Sequence, residues 1–337
     1  MDYHKQQDKL NNEKAEAILN GLPEFVSDYF LSLSNRSASS RTILEYAYEI
    51  RSFFEYLSNK FVMPIETISP YILETVRPIE IERYLSLKSH QGNTLSENAR
   101  ARKLSALRSF FNYYLKTKEI ATNPCLLVDM TKKHKKEVQY LEQDEIKSLL
   151  NAAKNGTGLT KKELAFHEKT RLRDIAILST LVGTGLRISE LVGLNIADFD
   201  KKNAALHIIR KGGDVDEVYF GEAIERALEE YLDCGRELFH PADGEDALFL
   251  SIQGGRMSVR AMEKLVKKYA MAVNLPSATH PHTLRASFAT NLADNGADVY
   301  TIKEALHHAS LETSKHYVGG SKERKRKAAR ISDELFE

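Results

Sequence analysis

The sequence predicts a mainly α-helical protein of two domains: an all-helical N-terminal domain, then a domain of helices around one small antiparallel β-sheet. Three observations predict it. The chain has 337 residues, more than one ordinary domain and about the size of two. Apolar residues recur at a spacing of three and four through most of it, the period of amphipathic helices. That period breaks twice. One break is TNPCLLVDMTKKHKKEVQYL, where a proline and a lysine cluster intervene; the other is NAALHIIRKGGDVDEVYFG, where β-branched residues flank KGGD.

Residues 1–20 are polar and mixed in charge and read as an N-terminal extension. PEFVSDYFLSLS predicts a short helix. SSRTILEYAYEIRSFFEYLSN places Ile43, Leu44, Ala47, Ile50, Phe53, Phe54 and Leu57 on one face, with Ser39 or Ser40 as N-cap. A further helix opens near residue 78. SENARARKLSALRSFFNYYLKTK carries Leu104, Leu107, Phe110, Phe111 and Tyr114 on one side. These elements make a helical domain over 21–121, and 122–138 is a basic linker. The second domain spans 139–320. EQDEIKSLLNAAK and TRLRDIAILSTLVGTG predict helices, and the residues around KGGD predict a hairpin with a glycine-bearing turn. Helices resume at EAIERALEEYLDCG, SVRAMEKLVKKYAMAV, THPHTLRASFATNLADNG and DVYTIKEALHH. Residues 321–337 form a tail.

Composition narrows the setting. Apolar residues make up 42%, and no apolar run approaches the ~20 residues that cross a bilayer. The start does not read as a secretory signal. Cys125 and Cys234 are far apart and lack metal-ligand spacing, which fits a reducing cytosol. A cytoplasmic protein without a membrane partner is expected. Net charge is +1, but the cations cluster. TKKHKKE (131–137) holds four lysines, including Lys132 and Lys133, and SKERKRKAAR (321–330) holds six cations against one acid. Arg100, Arg102, Lys103, Arg108, Lys116 and Lys118 lie in one predicted helix. Single charge runs are usually solvated faces; three in one chain suit a polyanion.

The second domain also holds the residue types that cut and rejoin a phosphodiester without a metal. Cations must hold the non-bridging oxygens, a nucleophile must attack, and an acid must protonate the leaving oxygen. Arg187 in GTGLRISEL opens a helix, where backbone N–H groups also favour phosphate. Glu190, one turn on, either orients an arginine or caps the helix. His282 and Arg285 in HPHTLRASF share a helical face near a helix start marked by Pro281. Lys211 sits in the hairpin turn, from which it can reach a neighbouring cleft. His308 and Tyr317 lie nine positions apart in HHASLETSKHY. The histidine pairs His280/His282 and His307/His308 lack the cysteine or carboxylate company of a zinc site, so no metal is expected.

In order and spacing, TGLRISEL, a lysine in a β-turn, HTLR, a histidine and a tyrosine nine residues later closely resemble the tyrosine recombinase/integrase family. The resemblance spans most of 170–320. The helical N-terminal domain resembles that family's SAM-like core-binding domain, and SDELF resembles the tail that passes to a neighbouring protomer. The compact size looks most like the Xer-type site-specific recombinases, with integrases of phage or conjugative elements as the alternative. A non-catalytic DNA-binding protein of the same fold is the alternative of another class, and a DNA-relaxing enzyme without synapsis is a third.

The resemblance implies that Tyr317 attacks the scissile phosphate to form a 3′-phosphotyrosyl intermediate. Arg187 and Arg285 clamp the non-bridging oxygens, and Lys211 protonates the 5′-oxygen. His282 or His308 accepts the tyrosine proton, the other donating to the phosphate. Glu190 supports the geometry. No cofactor, ATP or metal is implied. Duplex DNA at a specific site is the partner, held in a C-shaped clamp by a homotetramer, or a heterotetramer with a second recombinase, associated with the nucleoid. Arg100, Arg102, Lys103, Arg108, Lys132 and Lys133 are the further DNA contacts expected. Ile331, Leu335 and Phe336 offer the tail an apolar anchor. Against the family pattern, the turn lacks a second lysine, LHH replaces the commoner LGH, and Ala286 stands where many relatives carry histidine.

Overall fold

The computed structural model describes residues 3–87, 94–129, 138–210 and 213–307. The chain divides into two compact units, Met1–Lys135 and Lys136–Glu337.

Helices build the first unit: α1 (Tyr3–Leu19), α2 (Val26–Asn35), α3 (Ser40–Phe61), α4 (Pro70–Glu74), α5 (Pro78–Ser86) and α6 (Glu97–Thr117). Their ends obey local chemistry. The Ser39 hydroxyl accepts from the Thr42 N–H at 3.3 Å and the Ser96 hydroxyl from the Ala99 N–H at 3.2 Å, so both long helices start on a serine cap. Pro70 and Pro78 occupy first turns, where the missing N–H costs nothing.

The apolar faces of α3 and α6 meet in an aromatic core of Phe53, Phe54, Phe110, Phe111 and Tyr114, all fully buried. Phe110 and Tyr114 stand edge to face at 4.9 Å, a favoured aromatic geometry. Within the segment read from sequence as an extension, Tyr3–Leu19 form α1, which packs on α3 and buries Ala15 and Ile18 in the same core. Two buried apolar residues in a charged helix leave too faint an apolar stripe to read.

The second unit holds α7 (Gln143–Asn155), α8 (Lys161–Thr184), α9 (Ile188–Gly193), β1 (Phe199–Asp200), β2 (Ala205–Ile209), β3 (Val215–Tyr219), α10 (Glu222–Glu230), α11 (Val259–Ala272), α12 (Pro281–Asp294) and α13 (Val299–Leu306). The strands form an antiparallel sheet in chain order, with Leu206 opposite Val218 and Ile208 opposite Asp216. The hairpin falls where the β-branched residues place it; β1, two residues long, adds an edge that sequence spacing does not signal.

The axis of this unit is α8. It begins well before the predicted start, on the Thr160 cap, and buries residues on most of its circumference. Most of those buried residues lie from Arg173 onward; the first half buries only the polar His167 and Thr170 and leaves Leu164 and Phe166 exposed, so it carries no apolar stripe to read. Its fully buried Asp174 accepts from Arg173 Nη2 at 2.8 Å, Lys268 Nζ at 2.8 Å and the Tyr269 hydroxyl at 2.9 Å. A buried carboxylate requires such partners, and they bind α11 to α8. No helix among the described residues is long and apolar enough to cross a membrane.

Candidate active site

The site begins where α8 stops. Gly185 takes a left-handed backbone, φ +63, and turns the chain into Leu186 and Arg187. A side chain there would overlap Phe288 Cδ1 and lie 2.9 Å from Leu306 Cδ2, so glycine answers both the backbone and the packing. Arg187 then precedes α9 in extended conformation.

Glu190 organises the cations around this turn. Its Oε2 accepts the Arg187 N–H at 2.8 Å, and its Oε1 accepts Arg187 Nη1 at 2.8 Å. The same Oε1 accepts Arg210 Nη1 at 3.0 Å from the end of β2. Of the two roles the sequence allows it, Glu190 performs both. Burial works to raise its pKa, but the Arg187 N–H and the guanidinium charges of Arg210 and Arg187 outweigh burial and hold it below the usual carboxylate value. The carboxylate therefore stays ionised and fixes both arginines, while the Arg187 side chain remains 36% exposed and open to an anion.

Arg285 enters from α12. It is buried, 4% exposed, and donates through Nη1 to the Gly185 carbonyl and through Nη2 to the Leu306 carbonyl. It thereby joins the end of α8 to the end of α13. One turn earlier, His282 is exposed at the start of α12. Partial desolvation, then the charges of His280, Arg285 and Arg187, push its pKa below the ordinary value. A neutral imidazole near two guanidiniums is poised to accept a proton.

The structure thus brings Arg187, Glu190, His282 and Arg285 into one region. Lys211, His308 and Tyr317 lie outside the described residues, as do Lys132 and Lys133. Arg210, Asp216 and His307 also belong to the region. Sequence reasoning passed over the first two and met His307 only as half of a histidine pair. The available signal was an arginine and an aspartate on either side of one tight turn, in RKGGDVD.

The α6 cations expected to face DNA are divided by the structure. Lys103 Nζ reaches Glu49 at 2.9 Å and the Tyr84 hydroxyl at 2.9 Å, neutralising a carboxylate that is 7% exposed. Arg108 donates to the carbonyls of Cys125 at 3.0 Å and Val128 at 2.6 Å. Both side chains hold the unit together. Arg102 also meets Glu49, at 2.8 Å, yet its side chain is 57% exposed; Arg100 is half-buried. Among the described residues no group of three or more His, Cys, Asp or Glu could hold a metal.

Residues 139–324 match the family described as "Phage integrase family", and 26–118 match "Phage integrase, N-terminal SAM-like domain". A protein of Pelotomaculum thermopropionicum named tyrosine recombinase XerC is 33% identical over 88% of this chain and 93% of its own length. One of Halalkalibacterium halodurans named tyrosine recombinase XerD is 30% identical over 92% and 96%. Among solved structures, the XerH site-specific recombinase in a post-cleavage complex with palindromic difH substrate is 26% identical. It covers 88% of this chain and 82% of its own, with a TM-score of 0.65.

Proposed function

The chain belongs to the phage integrase family of tyrosine recombinases, and from that premise we propose that it is an Xer-like recombinase that acts on one duplex DNA site and resolves chromosome dimers. Its class cuts and rejoins DNA strands. In this reading the Tyr317 phenolic oxygen attacks the scissile phosphorus, and the bond to the 5′-oxygen breaks. Lys211 protonates that oxygen, and the tyrosine proton passes to His282 or His308. Arg187 and Arg285 hold the non-bridging oxygens, where charge accumulates. The 3′-phosphotyrosyl ester keeps the bond energy, so rejoining is the same step reversed with a different 5′-hydroxyl.

One observation supports this most: Arg285, from α12, is tied to the Gly185 carbonyl, two residues before Arg187, which Glu190 holds, beside a histidine whose pKa is lowered. The Xer role, rather than movement of a mobile element, is favoured by relatives named XerC and XerD at about 30% identity that match along most of their own length. Strand exchange between two duplexes calls for four protomers, all copies of this chain or shared with a second recombinase. In that assembly the tail, with Ile331, Leu335 and Phe336, would join neighbours.

The experiment is loss of the chain in its host. Dimer resolution predicts cells with linked, unsegregated chromosomes, restored by the full chain and not by Tyr317→Phe. Normal segregation, with failure of a genetic element to integrate or excise, would replace this role with that of an integrase.

A further inference from the structure

Asp216 on β3 stands where three elements meet. Its Oδ2 accepts Arg210 Nε at 2.9 Å and faces His307 Nε2 at 2.8 Å. Arg210 continues to Glu190, and Glu190 to Arg187. His307 closes α13 in left-handed backbone, φ 47, and its N–H is bonded to the Glu304 carbonyl at 3.0 Å. A residue other than glycine costs about 1–2 kcal/mol there. Glycine would make the same turn without strain, so what histidine adds is its ring, and the ring reaches Asp216. The carbonyl just before it, on Leu306, is the one Arg285 grips.

These contacts close a ring. It runs from Arg187 through Glu190, Arg210, Asp216 and His307 to the Leu306 carbonyl, then through Arg285 to the Gly185 carbonyl, two residues before Arg187. Glu217, on the other face of β3 by strand alternation, lies 3.6 Å from His207 instead.

We propose that Arg210, Asp216 and His307 are positioning residues that set the spacing of the two phosphate-holding arginines, Arg187 through Glu190 and Arg285 through the end of α13. They act without touching the phosphate. The inference rests on the reading of Arg187 and Arg285 as the clamp of a DNA-cleaving enzyme.

The test compares the full chain with Asp216→Asn and His307→Gly. The glycine variant preserves the end of α13, because glycine adopts positive φ freely. Single-turnover formation of the covalent adduct is measured on a nicked duplex. A second substrate replaces one non-bridging oxygen of the scissile phosphate by methyl, which removes the charge the clamp holds. Expected are a fall of about tenfold or more on the phosphodiester, from misplacement of the reacting group, an unchanged Kd for DNA, and a smaller deficit on the methylphosphonate. Unaltered rates in both variants, or equal deficits on both substrates, would overturn the proposal. Failure of the unaltered chain to form an adduct, or a full rate in Arg187→Ala, overturns the clamp reading instead.

Discussion

Arg187 and Arg210 share one carboxylate oxygen, Glu190 Oε1, at 2.8 and 3.0 Å. One cation comes from the start of α9 and the other from the end of β2, so a single buried acid fixes a helix start to a hairpin.

Removing that acid should be costly. Glu190→Ala leaves Arg187 without its counter-charge and the nearly buried Arg210 with Asp216 alone, and is expected to lower stability by about 3 kcal/mol. Because the folded pKa of Glu190 is depressed, its contribution is present above the ordinary glutamate value, ~4.3. It is lost as pH falls from there through the lower folded value. Denaturant melts at neutral and acid pH check this: the gap between parent and variant should narrow in acid.

Gly185 serves backbone, packing and site together. Gly185→Ala places a Cβ against Phe288 and Leu306 at a positive φ, which should cost about 2 kcal/mol or more. The Gly185 carbonyl seats Arg285, so cleavage should fall further than stability alone explains. Adduct formation measured well below the variant's Tm separates the two effects.

His282 titrates below its ordinary value in the folded chain. The unfolded chain therefore binds the proton more readily, and folding loses stability as pH drops below ~6.5. His282→Gln removes that loss. Its Tm, relative to the parent, should rise from pH 7 to pH 5, while adduct formation falls by about 10²-fold, as expected for a lost proton acceptor. A difference in Tm independent of pH contradicts the assignment.

Deleting the residues after Gly320 should leave DNA binding intact and abolish strand exchange between duplexes, since the tail is proposed to join protomers. Gel-shift titration and a two-duplex exchange assay measure the two separately. Full exchange by the truncated chain would refute the role.

Much of this architecture is legible in the sequence, for physical reasons. Ser39, Ser96, Pro70 and Pro78 mark helix starts by chemistry that acts within one turn, and the aromatic stripes of α3 and α6 repeat at the helical period. The Arg187 to Glu190 and His282 to Arg285 spacings survive folding because each pair lies within one helical turn. The rest depends on distance in space. The Asp174 contact with Lys268 and the Arg285 grip on Gly185 join residues far apart in the chain, which no local pattern announces. Lys103 and Arg108 look like DNA contacts in a basic helix, but a buried Glu49 and the carbonyls of Cys125 and Val128 claim them.

The measurement closest to the centre is the covalent bond itself. The full chain is mixed with nicked, fragmented chromosomal DNA of its host, quenched with detergent, and the trapped peptide is sequenced. A 3′-phosphate ester on Tyr317, absent in Tyr317→Phe, is predicted. An adduct that survives the Tyr317→Phe substitution, or DNA that is bound yet never joined to protein, would contradict the account.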